Sequence, residues 1–495
     1  MKILVINLLR LGDMIMTVPV INGLAAKRAD AQIDVLTFKT VAALKPMNPN
    51  VRRWWTLDRD ELQAGLGRSD LPLLSSFAVL QEQLDAINAE KYDLIINLTQ
   101  THFSAWIAGY LKSGDRLGLN YDLKGLPHFY SPWFRYLDQH AAESVEDVFH
   151  HTDIFAHACG LGEFARDWKM KSSPGGEKEA DSLKLGAGET IVLQLFTSDP
   201  KKNWPMENWI EFVRGIRMDK PGVQLVALGS PQEKEKLEEF IHAAKAGVIP
   251  AILSLDGALA LLNRAQLLVT GDTSIKHLAN AGRAKVIELC IGWSDWRRTG
   301  IYKADSLILQ GGQGLTIPVA AVQHAAAALM TGDWAAVNSA AQFFAPETRF
   351  VRSRELSAGF WFGQELSQVS HERMVSNLVE RCAWKISLNR ERQSEFSQFG
   401  SEGVSLRREL RELIPGEAEQ PVLAHLDFLE KQEGARSQAV NHELEVLRRE
   451  RPVRTELLDI ASFRKRQIEL EFAYQHLQHK TKLIRTLKSN WTECL

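Results

Sequence analysis

Up to about residue 335 the chain alternates short apolar runs with longer amphipathic stretches. KILVINLL, QIDVLTF and DLIINLTQ are brief and rich in β-branched residues, which predicts strands. Between them TVPVINGLAAKRA and FAVLQEQLDAINAEK carry helical periodicity. Such alternation predicts a parallel sheet with helices on both faces. The stretch MKSSPGGEKEADSLKLGAGET (170–190) interrupts it with Gly, Ser and charge, and reads as a linker and domain edge. The alternation then restarts. TIVLQLF, VQLVALGS, QLLVTGD and KVIELCIG predict strands, with helices at MENWIEFVRGIRMD, QEKEKLEEFIHAAK and SIKHLANAG. After about residue 340 the strand-like runs cease. Helix formers with apolar residues at three- and four-residue spacing take over, illustrated by Leu457, Ile460, Phe463, Ile468, Phe472 and Leu483.

The expected organisation is therefore an α/β chain in four parts: residues 1–169, a linker 170–190, a second parallel-sheet domain 191–339, and a helical extension 340–495. A substrate cleft is expected between the two sheets, because open α/β sheets bind ligands at the carboxyl ends of their strands. The helical stripes must be buried against each other, a second copy, a protein partner or the acceptor of the reaction. Packing on themselves is the favoured expectation.

Composition narrows the function classes. The chain has 495 residues, 45% hydrophobic and 24% charged, with a net charge of -2, enough apolar material for several cores. The near-neutral balance carries no overall nucleic-acid footprint. Cys159, Cys290, Cys382 and Cys494 are far apart and form no CxxC pair, which suggests neither a disulfide framework nor a zinc ribbon, and a cytoplasmic setting is expected. KILVINLL is short and runs into Arg10 and Asp13, unlike a signal peptide. No run approaches the roughly 18 apolar residues of a membrane span, so any work on lipid is expected from the side.

Four stretches carry candidate chemistry, each directly after an expected strand. Gly12-Asp13 follows KILVINLL. It is no dinucleotide fingerprint, since only one glycine is present and a carboxylate would repel a pyrophosphate. Asp13 is either a helix N-cap or a general base facing the cleft. TSDPKKNWPMENW places Lys201 and Lys202 in the loop after IVLQLF, where a lysine can neutralise a phosphate leaving group. In LLVTGDTSIKHLANAG, Gly271-Asp272 end a strand and Thr273-Ser274 open a helix whose first N–H groups suit an anion, with His277 one turn in. IGWSDWRRTGIY adds Gly, Ser, Asp and Arg on a further loop.

Together these stretches resemble glycosyltransferase family 9, the ADP-heptose:lipopolysaccharide heptosyltransferases. That family shows a GD turn after the first strand, then Lys-x-Trp-Pro, then Asp-Thr-x-x-x-His-Leu, then a Gly-x-x-Asp loop with a downstream Arg-x-Gly. Here these read Gly12-Asp13, Lys202-Asn203-Trp204-Pro205, Asp272-Thr273-Ser274-Ile275-Lys276-His277-Leu278, and Gly292-Trp293-Ser294-Asp295 with Arg298 and Gly300. DLIINLTQTHFSAW and DRLGL (115–119) are similar to its mid-domain segments. The resemblance covers about residues 1–335.

It implies a GT-B fold of two Rossmann-like parallel-sheet domains, and an inverting, metal-independent transfer from a nucleotide sugar such as ADP-heptose to a lipopolysaccharide-core or protein acceptor. By carry-over Asp13 is the base and Lys202 holds the donor phosphates. Thr273, Ser274 and Ile275 cradle those phosphates through backbone N–H groups, beside Asp272 and His277. Glu233 is a candidate for the donor ribose, and Gly12 and Arg10 lie on the acceptor side. No cofactor or metal is implied beyond the donor itself. Ser274 departs from the family's usual Gly.

Three other features are weighed. Asp58-Arg59-Asp60 resembles a DxD metal triplet but falls in the acceptor domain, and is discounted. His150, His151 and His157 are expected on a helix surface. Arg52, Arg53, Trp54 and Trp55 could touch anionic lipid in a peripheral membrane contact, although burial of the tryptophans is the favoured expectation. The rival functions are a non-catalytic scaffold acting through its helical tail, and a nucleotide-sugar epimerase.

Overall fold

The computed structural model describes residues 1–67, 73–140, 149–292, 294, 296–311, 317–345, 347–355, 360–366, 371–389, 419–449 and 457–491. The described residues fall into two compact units. The first holds both sheets and the second holds the long C-terminal helices.

The first sheet has the order β3-β2-β1-β4-β5, every pair parallel: β1 (Lys2–Ile6), β2 (Gln32–Phe38), β3 (Arg53–Leu57), β4 (Tyr92–Asn97) and β5 (Ser113–Gly118). Ile3, Leu4, Val5, Ile6, Val35, Ile95 and Ile96 are wholly buried, as central strands covered on both faces must be. A small antiparallel pair, β6 (Asn120–Tyr121) with β7 (Pro127–His128), follows β5.

The second sheet has eight strands in the order β10-β9-β8-β11-β12-β13-β14-β15. Six are the parallel strands β8 (Thr190–Gln194), β9 (Gln224–Gly229), β10 (Ile249–Ile252), β11 (Leu267–Gly271), β12 (Lys285–Cys290) and β13 (Ser306–Gly311). The last two, β14 (Thr348–Glu355) and β15 (Trp361–Glu365), are antiparallel. Here the structure corrects the expected helical tail from residue 340: the sheet continues to Glu365. The two strands hide in the sequence because arginines interrupt the buried residues of β14, and β15, the edge strand, is only five residues long. Phe350, Val351 and Trp361 are nevertheless wholly buried.

The linker is also more structured than its composition suggests. Pro174–Asp181 is a helix, opened by Ser173, whose Oγ accepts the N–H groups of Gly175 and Gly176. Ser at the N-cap with Pro at the first position is a helix-start signature. This helix is tied to the neighbouring helix Leu255–Leu262: Asp256 accepts the Ser173 N–H at 2.8 Å, Glu179 accepts the Ser254 N–H at 2.8 Å, and Arg264 pairs with Glu177 and Asp181.

In the second unit His371–Leu388, Glu419–Arg449 and Leu457–Trp491 pack on one another. Leu378, Val379, Leu426, Leu429, Leu477, Leu483 and Ile484 are buried there. Lys480 pairs with Glu433 and Glu380, and the His476 ring stacks on Trp384. Of the six positions that illustrate the stripe, Leu483 is buried, Phe472 packs on Trp384 and Ile468 is exposed. The side chains of Leu457, Ile460 and Phe463 lie outside the described residues. Among the described residues no helix is long and apolar enough to cross a membrane.

Candidate active site

A cavity of about 690 Å³ lies between the carboxyl ends of the two sheets. Loops after β1, β8, β9, β10 and β11 line it, so the strand order that builds the sheets also brings the chemistry together. Arg10, Gly12 and Asp13 face it from the first sheet. Lys202, Glu233, Asp272, Thr273, Ser274, Ile275 and His277 face it from the second.

Asp13 is held by its own loop. The helix Leu11–Ile15 starts earlier than the sequence suggests, so Asp13 is its third residue, and not the N-cap. Its Oδ2 accepts the Arg10 N–H at 3.2 Å. The wholly buried Asn7 fixes the turn from below, donating to the Asp13 carbonyl at 3.1 Å and to Thr17 Oγ1 at 2.8 Å. Burial raises the Asp13 carboxyl above 3.8 despite the Arg10 N–H, and the Asp272 charge pushes the same way. An elevated carboxylate facing a cavity suits a proton acceptor.

Lys202 closes the short turn Pro200–Lys202 and is 7% exposed, while Lys201 beside it is exposed. Its Nζ donates to Asp272 Oδ2 at 2.7 Å. Asp272 also accepts from Lys276 at 2.7 Å and from the Ser294 hydroxyl at 3.3 Å. Burial opposes its ionisation, but Lys276 and Lys202 together hold it far below the usual carboxylate range. Lys276 is itself wholly buried and donates to Glu288 at 2.7 Å. Burial disfavours its charge, and Glu288 and Asp272 more than restore it. Burial in turn pushes Glu288 above 4.5, with Lys276 offsetting part of the rise.

Thr273 caps the helix Ser274–Ala279 with extended backbone, and its hydroxyl meets that of Thr270 at 3.2 Å. Ser274 is the first helical residue, where right-handed backbone accepts a Cβ without strain. His277 is buried, and burial together with Lys276 lowers its ring to about 3, so the imidazole is neutral. Its Nδ1 has no hydrogen-bond partner among the described residues. A Cβ on Gly12 would stand 3.0 Å from His277 Cδ2, so Gly12 is where the two domains pack. Glu233 lines the cavity with Oε2 already accepting the Ser230 N–H at 2.7 Å and hydroxyl at 2.8 Å. Gly292 has φ +67°, and a Cβ there would be 2.9 Å from the Lys201 carbonyl. That close approach needs glycine. Trp293 and Asp295 of the same loop lie outside the described residues.

Other sequence expectations resolve away from the cavity. Asp58 accepts the N–H groups of Asp60 and Glu61 and pairs with Lys39, so it caps a helix. His150 is wholly buried, contrary to a surface placement. Its Nδ1 accepts the Thr152 N–H and its Nε2 donates to the Gly300 carbonyl, which sets the tautomer. His157 stacks on Trp133. Arg52 pairs with Asp34 and Glu90, and Arg53 pairs with Glu90 while stacking on the half-buried Trp55. Sequence reasoning missed Asn7, Lys276 and Glu288. Glu288 had a signal, a charge inside the apolar strand KVIELCIG. Lys276 had another, four residues after Asp272 across the start of one helix.

Residues 82–314 match the family model described as Glycosyltransferase family 9 (heptosyltransferase). The chain is 23% identical over 285 residues to lipopolysaccharide heptosyltransferase 1 of Escherichia coli (strain K12), covering 57% of this chain and 85% of that protein. The fold is similar to the crystal structure of a family 9 glycosyltransferase from Veillonella parvula, with TM-score 0.54 and 20% identity over 67% of this chain and 97% of that one. It is also similar to E. coli ADP-heptose lps heptosyltransferase II, with TM-score 0.50 and 19% identity over 68% of this chain and 100% of that one.

Proposed function

We propose that this chain, which is similar to the heptosyltransferases of glycosyltransferase family 9, transfers heptose, or a related sugar, from an ADP-sugar donor with inversion and without a metal. The acceptor in this reading is a lipopolysaccharide-core saccharide or a protein side chain, met at the cytoplasmic side of the membrane. The observation that carries it is that Asp13, after the first strand of one sheet, and Lys202, after the first strand of the other, line one cavity. Asp13 takes the proton from the acceptor hydroxyl, whose oxygen attacks the anomeric carbon as the diphosphate leaves. Lys202 and the N–H groups of Thr273, Ser274 and Ile275 stabilise the charge that develops on the leaving group. Glu233 serves the ribose, with Arg10 at the acceptor side. The Asp272 carboxylate already carries two lysines, which favours leaving-group stabilisation by cation over metal coordination there.

For a lipid-linked acceptor, the surface that supports a membrane approach is a different one from Arg52–Trp55. Phe103, Trp106 and Tyr110 are exposed along one face of the helix His102–Tyr110. Trp106 packs on Tyr121 beside the β6–β7 hairpin, whose Leu123 is fully exposed. Trp and Tyr beside an exposed Leu suit a bilayer interface.

The test is a panel of nucleotide sugars, with a lysate as acceptor source, read by mass spectrometry. An acceptor adduct formed from an ADP-sugar, and retained in excess EDTA, supports the reading. An isomerised donor with no adduct, or an absolute need for divalent metal, overturns it.

A further inference from the structure

Beneath the cavity wall lies a chain of alternating charges that the proposed chemistry uses only at one end. Lys202 and Asp272 line the cavity, whereas Lys276 and Glu288 stand behind them, 0% and 1% exposed. Lys276 Nζ donates to Asp272 Oδ1 and to Glu288 Oε1, each at 2.7 Å. Glu288 Oε2 accepts the Ile301 N–H at 2.8 Å, which fixes it in turn.

At rest Lys202 is engaged by Asp272. To meet a diphosphate its Nζ must leave that carboxylate. A largely buried carboxylate abandoned by its sole counter-ion is strongly disfavoured, so Asp272 alone would hold Lys202 back. Lys276 removes that obstacle. It sits one helical turn from Asp272, enclosed along its whole stem and held from behind by Glu288, so it stays when Lys202 moves.

We infer that Lys276, backed by Glu288, is a positioning residue: it is the fixed counter-ion of Asp272 that frees Lys202 to turn from its resting ion pair to the donor's diphosphate. This rests on the reading of Lys202 as the phosphate ligand. Asp272, which lines the same cavity, then bears on the diphosphate through Lys202.

The test is calorimetric titration of the full chain with ADP. Lys202→Ala comes first and is expected to weaken binding about tenfold or more. Lys276→Met/Glu288→Gln removes both buried charges together, so neither is orphaned. It leaves Asp272 with Lys202 alone, and ADP is expected to bind about tenfold more weakly. Adding Asp272→Asn releases Lys202 and should restore affinity to within about threefold of the unmodified protein. A purely packing role for Lys276 gives no such rescue, because each further change only weakens the site. Lys276→Gln keeps a donor between the two carboxylates and loses only the charge. It must show the same weakening, and serves if the paired variant does not fold. Normal affinity without the Lys276 charge, or a loss that Asp272→Asn deepens, overturns the proposal and leaves the phosphate site standing. Normal ADP binding by Lys202→Ala overturns the phosphate site and the proposal with it.

Discussion

Asp13 shows how one side chain can serve chemistry at the expense of stability. Burial raises its carboxyl, so the folded chain disfavours its ionisation more than the unfolded chain does, and ionisation above pH 3.8 weakens folding. Asp13→Asn should therefore melt no lower than the parent at pH 7, with any gain vanishing below about pH 3.8. The same change should lower turnover by about 10²-fold or more with ADP binding retained. Near-normal turnover would remove Asp13 as the base. The acid limb of the parent's pH–rate profile should lie above the ordinary Asp value, because only the ionised carboxylate accepts the proton. Lys202 makes a second residue-scale case. Lys202→Ala should cost ADP binding about 1.5–3 kcal/mol, the scale of a charge-assisted hydrogen bond. Lys201→Ala should cost far less, since Lys201 is exposed and does not line the cavity. Equal losses would show that the choice between neighbours is wrong. Asp13 and Lys202 were legible because each lies within about a turn or two of the end of an apolar strand. The Lys276–Glu288 pair was not, because it spans a helix and a strand whose adjacency is decided only when β11 and β12 pair.

At the scale of elements, the parallel strands were plain because burial on both faces leaves continuous apolar runs. β14 and β15 were not, since arginines at partly exposed positions break the apolar run of β14 and the edge strand β15 is short. The helix Pro174–Asp181 was obscured by its glycines, although Ser173-Pro174 marked its start. The helix His102–Tyr110 leaves Phe103, Trp106 and Tyr110 exposed at i, i+3 and i+7. Trp106→Ser with Leu123→Ser should abolish sedimentation with phosphatidylethanolamine–phosphatidylglycerol vesicles while ADP affinity holds. Sedimentation unchanged by both substitutions would exclude this face as the membrane contact.

At the scale of the whole molecule, the extent of the second sheet decides where the chain can be cut. Ending it at Asp333 removes β14 and β15 and strips Phe350 and Trp361 from the interior. That protein should precipitate or melt far lower, because losing a buried aromatic alone costs about 3–5 kcal/mol. Ending it after Leu366 keeps the sheet whole and should leave ADP affinity unchanged. Acceptor transfer by the longer truncation then reports on the helical unit. Full transfer would remove that unit from acceptor choice, and donor hydrolysis without transfer would place it there.

The order of apolar runs by itself determined two tandem parallel sheets and the strand tips at which chemistry gathers, because those depend on local periodicity and on the rule that ligands meet strand ends. It also marked Asp13, Lys202 and the Asp272–His277 turn as candidates. Only the tertiary structure decided that Asp272 faces two lysines, that His277 is neutral against Gly12, that His150 is buried, and that the sheet runs on to Glu365. Each of these depends on partners distant in sequence. Burial and charge pairing are properties of the assembled neighbours, and no local pattern encodes them.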